Sequence, residues 1–135
     1  MPLAARKKGV AVQVFPVSET GYNPYTTVLA TSGESLRKNP ERAKSIVTAV
    51  REGWRAYLDD PKPTNQRMNQ LNPTMAPEVF AEVAEAQKAL IENDETRRSG
   101  LGSMTAERWQ ALISELQELG DIRNAPAVND CFRNL

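Results

Sequence analysis

Asn39-Pro40-Glu41 opens the stretch that most constrains how this chain can fold. A short polar residue before a proline is a helix start. Asn can cap, Pro fits the first helical position, and Glu suits the positive end of the helix dipole. Behind it, Ala43, Ile46, Val47, Val50, Trp54, Tyr57 and Leu58 recur at steps of three and four. Arg42, Lys44, Arg51, Glu52 and Arg55 fall outside that stripe. The pattern predicts an amphipathic helix over 40–59, ended by Asp59-Asp60-Pro61-Lys62-Pro63. Such a helix needs a second layer to cover its apolar side, and Trp54 is expected among its costliest residues to remove. Gly53 lies beside the stripe at about 1 kcal/mol of lost helix propensity, which predicts close approach by another element.

The residues before the helix read as strands. Val10, Val12 and Val14 alternate with Ala11, Gln13 and Phe15, a period of two that predicts a strand over 9–15. Both of its faces are fairly apolar, so it belongs inside a sheet, and Pro16 ends the ladder. A second strand is expected over 26–31, with Val28 and Ala30 on one face and Thr27 and Leu29 on the other. Between them, Ser18–Pro24 is a turn-rich connector with Gly21 and Asn23-Pro24. Tyr22 and Tyr25 flank that turn. Two readings of these tyrosines stand: a stacking wall for a ligand, or cover for a neighbouring core edge.

Beyond the long helix, Gly33–Lys38 having already offered one short helical turn, further helices are expected. Thr64 caps a short one over 64–71 with Met68 and Leu71 on its apolar face. Pro77 opens another over 77–93, whose stripe is Val79, Phe80, Val83, Ala86, Leu90 and Ile91. Asp94–Met104 reads as a polar loop. Thr105 caps a helix over 106–119, with Trp109, Leu112, Ile113, Leu116 and Leu119 inward and Gly120 as a left-handed C-terminal cap. Residues 121–135 read as irregular, pinned by Val128, Cys131, Phe132 and Leu135.

Composition excludes several functions. Lys+Arg and Asp+Glu number 17 each, so the chain is electrically balanced. That argues against a nucleic-acid binder driven by phosphate neutralisation. The basic run Arg6-Lys7-Lys8 reads as a solvated segment. Histidine is absent, which removes imidazole acid–base catalysis, Ser-His-Asp triads and His-liganded metals. Cys131 is the single cysteine and cannot close an intrachain disulfide. No carboxylate pair stands out as an acid–base couple. No catalytic residue, metal site or cofactor is expected. The N-terminus has no apolar core of signal-peptide length, and no stretch approaches a membrane span. On those grounds alone the chain reads as cytoplasmic and soluble.

Strand, crossover, strand and then amphipathic helices is an odd order for a closed domain, since two strands alone make a marginal sheet. The order resembles the C-terminal portion of the type 2 periplasmic-binding-protein fold. More narrowly, it resembles ABC-transporter solute-binding proteins of the nitrate/sulfonate/taurine and thiamine-precursor-binding family. The residues that carry the resemblance are Val10–Val17 into Gly21-Tyr22, Val28-Leu-Ala-Thr-Ser32, Asn39-Pro-Glu41, Ala49, Gly53-Trp54, Asp60-Pro61, Asn72-Pro73 and Pro77-Glu-Val79. Above all they are Gly100-Leu-Gly-Ser-Met-Thr-Ala-Glu-Arg-Trp109, followed by Gly120. The resemblance implies an α/β fold class: two strands followed by three to four amphipathic helices. It implies one partial domain over 1–135, with about 9–25 as the end of a second lobe and its crossover, and about 26–135 as the returning part of the first lobe. The family's signal peptide and opening strands have no counterpart here, so the chain is expected to be a fragment or a truncated gene product.

By the same resemblance the function is non-catalytic: capture of a small-molecule ligand between two closing lobes and delivery to an ABC permease in the periplasm. The ligand would be nitrate, a sulfonate or taurine, or a thiamine pyrimidine precursor. Ser18, Glu19, Thr20 and Asn23 could hydrogen-bond it, and Tyr22 or Tyr25 could stack on it; equally, these residues could only build the turn. A self-consuming synthase of the thiamine pyrimidine branch needs a histidine and a cysteine-rich motif, which this chain lacks. The alternative from a different class is a small stand-alone helical interaction module. It would self-associate as a homo-oligomer through exposed apolar helix faces.

Overall fold

The computed structural model describes residues 5, 6 and 8–135. Met1–Ala4 and Lys7, and with them part of the N-terminal and basic-run readings, lie outside the described residues. The chain divides into two compact units.

The first unit is Leu29–Ser103 with Leu135. It holds helices α1 (Gly33–Lys38), α2 (Pro40–Asp59), α3 (Lys62–Leu71), α4 (Pro77–Ile91) and α5 (Asp94–Ser99). Each start has a local cause. The Ser32 hydroxyl accepts the Ser35 amide at 3.1 Å and caps α1. Proline stands in the first turn of α2, α3 and α4, where its missing amide leaves no bond unmade. Asn39 precedes α2 as expected, but its side chain makes no capping bond. α3 begins at Lys62, ahead of the expected Thr64 cap, because Pro63 fits the first turn. α5 lies where a loop was expected. The Asn93 side chain accepts the Thr96 amide while Thr96 Oγ1 accepts the Asn93 amide, a reciprocal box that starts a helix without any apolar stripe.

α1 packs on α2, and α3 on α4. The most deeply buried residues of the unit are Leu58, Ala84 and Asn65. Polar ties hold the end of α2. Tyr57 Oη donates to Asn65 Oδ1 at 3.1 Å, and Lys88 Nζ donates to the Leu58 carbonyl at 3.1 Å. Arg55 bridges Glu92 at 2.6 Å and Asp59 at 3.0 Å. Its guanidinium pKa is raised by the Glu92 hydrogen bond first and Asp59 next.

The second unit joins the N-terminal segment through Val28 to Met104–Asn134. It holds a 3₁₀ turn (Val17–Thr20), α6 (Ala106–Glu118) and α7 (Val128–Cys131), with α7 packed on α6. Thr105 caps α6 as expected, its hydroxyl accepting the Arg108 amide. At the other end, the Gly120 amide bonds the Gln117 carbonyl and the Asp121 amide bonds the Leu116 carbonyl. Gly120 has φ +77°, which completes a Schellman motif. Ile113 is the buried anchor of α6. Trp109 stacks on Phe132 with centroids 6.0 Å apart and planes at 7°. The last residues are thus seated by an aromatic pair and by α7, a helix the sequence reading treats as irregular chain.

The α/β expectation is overturned. Among the described residues there is no strand; residues 10–16 and 22–32 carry no regular structure beyond bends. The Val10 amide turns back to the Ala5 carbonyl at 3.1 Å, and Val10, Val14, Phe15, Val28 and Leu29 are exposed, Phe15 at 76%. Alternation reports how side chains would be shared between two faces of a strand. It does not supply the neighbouring strand that pairs the backbone. Two short apolar runs split by a crossover with Pro16, Pro24 and a 3₁₀ turn offer each other no ladder, and a two-stranded sheet is marginal even when paired. The architecture is therefore helices joined by irregular segments, not the C-terminal part of a type 2 periplasmic-binding-protein fold with two strands.

The expected packing of α2 on that sheet fails with it. Ile46 is 48% and Trp54 42% exposed, and Val50 is exposed beside them. A side chain added at Gly53 would meet nothing within 4 Å, so no element approaches there.

Candidate functional site

The connector between the two expected strands is one compact turn within the second unit. Pro16, in extended conformation, leads into the 3₁₀ turn, where the Glu19 amide bonds the Pro16 carbonyl at 3.0 Å. Thr20 Oγ1 donates to the Val17 carbonyl at 2.7 Å. Gly21 then takes φ +95°, a left-handed conformation that a residue with a Cβ rarely adopts, and turns the chain out of the 3₁₀ turn.

The candidate residues divide. Ser18, Glu19, Thr20, Tyr22 and Asn23 are exposed and Tyr25 is half-buried; the division is in what each is tied to. Thr20 spends its hydroxyl proton on the turn itself, while the Glu19 carboxylate and the Tyr22 ring face solvent. Asn23 and Tyr25 are drawn instead onto the first turns of α6. Arg108 Nε donates to the Asn23 carbonyl at 2.7 Å, and Arg108 Nη2 to Asn23 Oδ1 at 3.1 Å and to the Pro24 carbonyl at 3.2 Å. The guanidinium carbon lies 4.0 Å from the centre of the Tyr25 ring, within the range of a cation–π contact. The Tyr25 hydroxyl accepts the Thr105 amide at 2.8 Å. The Tyr25 ring lies 6.2 Å from that of Trp109, tilted by 39°. The Tyr25 ring is thus half-buried beside Trp109, and Tyr22 is the tyrosine turned outward.

Arg108 is the residue that sequence reasoning missed. It lies outside the inward stripe of α6, and its partner is 85 positions away. The nearest signal was Thr105-Ala-Glu-Arg-Trp109 itself, a capped first turn whose Arg stands beside an inward Trp.

The cavity at this turn is small. Gly21, Asn23, Pro24, Arg108, Ala111, Leu112 and Glu115 enclose about 60 Å³, well below the several hundred Å³ that ordinarily hold a small-molecule ligand. A second depression of about 440 Å³, lined by Ala106, Glu107, Gln110, Val128 and Asn129, is shallow and open. Among the described residues no group of three or more His, Cys, Asp or Glu side chains is placed to hold a metal ion. No helix among them is long and apolar enough to cross a membrane.

Residues 2–64 match the family model described as NMT1/THI5 like. It is a family of solute-binding proteins of the ABC-transporter type, generally without enzymatic activity. The matched stretch contains the whole connector and all of α2, and it ends inside α3, before Gly100–Trp109. No curated protein and no solved structure matches the chain.

Proposed function

We propose that this chain works in the solute-binding component of an ABC transporter. Its ligand would be a small solute such as nitrate, a sulfonate or taurine, or a thiamine pyrimidine precursor, handed to a permease in the periplasm. The family match over residues 2–64 carries the reading, because it spans the connector with every candidate ligand residue. The chemistry required is binding alone. Glu19 accepts hydrogen bonds from a donor group on the solute, Ser18 offers a hydroxyl and Thr20 a hydroxyl oxygen as acceptor, and Tyr22 supplies an aromatic face. Since these groups stand on an exposed turn beside a cavity of only about 60 Å³, the solute stays largely hydrated. Polar contacts in water are weak compared with those in a closed site.

The test is titration calorimetry with nitrate, taurine and hydroxymethylpyrimidine. The expected result is saturable one-to-one binding of one of them, with a Kd on the order of millimolar, about 4 kcal/mol. Tyr22→Ala should weaken that binding without lowering the melting temperature. No binding of any of the three at tens of millimolar (roughly ten times that Kd) would overturn the reading.

One observation favours the second reading, a self-associating helical module: Ile46, Val50 and Trp54 form an exposed apolar row along α2. Light scattering after size-exclusion chromatography separates the two. A stable oligomer that Trp54→Glu converts to monomer supports the module, whereas a monomer at every concentration removes it.

A further inference from the structure

Arg108 does more at the connector than a surface arginine ordinarily does. Its guanidinium donates to three oxygens on two consecutive residues and covers the ring of the third. The same Tyr25 whose ring it covers accepts the Thr105 amide at the cap of α6. Asn23, Pro24 and Tyr25 are therefore held at once to the first helical turn of α6. Gly21, two residues before Asn23, takes the left-handed conformation. Because the Gly21 amide also bonds back to the Ser18 carbonyl at 3.4 Å, holding the residues after it restricts how the Val17–Thr20 turn is presented.

We propose that Arg108 is a positioning residue for solute capture. It clamps Asn23-Pro24-Tyr25 to α6, so that the turn Val17–Thr20 and Tyr22 are presented ready to bind. Asn23 and Tyr25 then act through the clamp, and the direct contacts come from Ser18, Glu19, Thr20 and Tyr22. The inference rests on the solute-binding reading for its consequence but not for its geometry. The clamp needs a planar fork. A lysine ammonium at the same place is a point charge that cannot donate along these directions together while it covers the ring.

Amide hydrogen exchange and solute titration on Arg108→Ala, Arg108→Lys and Asn23→Ala test it. In Arg108→Ala the amides of Gly21, Tyr22, Asn23 and Tyr25 should exchange at least tenfold faster while those of 110–118 keep their rates. The Kd for whichever of nitrate, taurine or hydroxymethylpyrimidine binds should rise about five- to tenfold. Arg108→Lys should restore neither. Asn23→Ala alone should give a smaller change of both kinds, and added to Arg108→Ala it should change nothing further. Unchanged exchange over 21–25 in Arg108→Ala overturns the clamp. Faster exchange with an unchanged Kd overturns its role in capture. Full rescue by Arg108→Lys shows that only charge matters, which also overturns it. If the unaltered chain binds none of the three solutes, the solute-binding reading fails, and the exchange measurements still decide the clamp. If Arg108→Ala does not fold, Arg108→Lys and Asn23→Ala carry the same test.

Discussion

Asn134 pairs with the backbone of Met104 in both directions. The Met104 amide donates to Asn134 Oδ1 at 2.9 Å, and Asn134 Nδ2 donates to the Met104 carbonyl at 2.8 Å. One side-chain amide thus satisfies both main-chain groups of the residue that leads into the cap of α6. It does so from the last turn of chain, next to the Phe132 ring that stacks on Trp109. Asn134→Ala removes both bonds. Because the pair is exposed, water replaces part of the loss, so the expected cost is about 1 kcal/mol. Urea unfolding should show it, and the near-ultraviolet circular dichroism of Trp109 should weaken as Phe132 loosens. Asn134→Leu, which also cannot pair, should behave alike.

Gly53 and Gly120 should respond to alanine with opposite signs. Both have open space where a Cβ would go. Gly53 sits in the middle of α2 with ordinary helical geometry, so Gly53→Ala should stabilise by about 0.5–1 kcal/mol through backbone entropy. Gly120 has φ +77° at the end of α6, and Gly120→Ala should destabilise by about 1–2 kcal/mol because the left-handed conformation crowds the new Cβ. Equilibrium unfolding of the two variants checks both; equal signs would contradict the geometry.

Leu58 and Trp54 lie one helical turn apart on α2 but differ in burial, at 4% and 42% exposed. Leu58→Ala should cost about 2–5 kcal/mol, the range for emptying a core position. Trp54 keeps an edge-on contact with Tyr57, at 5.9 Å between centroids. Its loss should cost about 1 kcal/mol, in line with a single aromatic pair and partial burial. Denaturant midpoints rank the two variants. A larger loss for Trp54→Ala would mean that the apolar row of α2 is covered in solution.

Glu19 and Arg108 should separate contact from positioning in solute binding. Glu19→Gln removes the carboxylate on an exposed turn and should leave the melting temperature within about 1 °C, as surface changes do. It should alter which solute binds best, since a neutral amide no longer favours a cationic or donor-rich group. Arg108→Lys should weaken every solute by a similar factor. Titrations across nitrate, taurine and hydroxymethylpyrimidine distinguish a change of preference from a uniform loss.

Short-range signals in the sequence decided the helices. Asn39-Pro40 and its stripe led to α2 over Pro40–Asp59, Pro77 to the start of α4, Thr105 to the cap of α6, and Gly120 to its end. Each is settled within about one turn of chain, by the fixed φ of Pro40 and Pro77 or by hydrogen bonds between residues three to five apart at Thr105 and Gly120. The Asn93–Thr96 box that starts α5 is equally local, but no apolar stripe follows it. The connector was legible in part: a turn lies at Gly21, whereas Asn23-Pro24 stands in irregular chain.

Tertiary structure alone decided what the local chain could not hold. Val10, Val12 and Val14 state a preference for a strand, but a strand exists only when another segment supplies its ladder, and here none pairs with them. Whether Ile46 and Trp54 are core or surface depends on what stands opposite α2, which no periodicity reports. The division of the connector into clamped and unclamped residues follows from Arg108, 85 residues along the chain from Asn23. No spacing rule links those positions. Only the folding of α6 beside the turn brings a planar, charged donor within reach of the Asn23 and Pro24 carbonyls, and the geometry of that donor then settles which connector residues are tied to the helix.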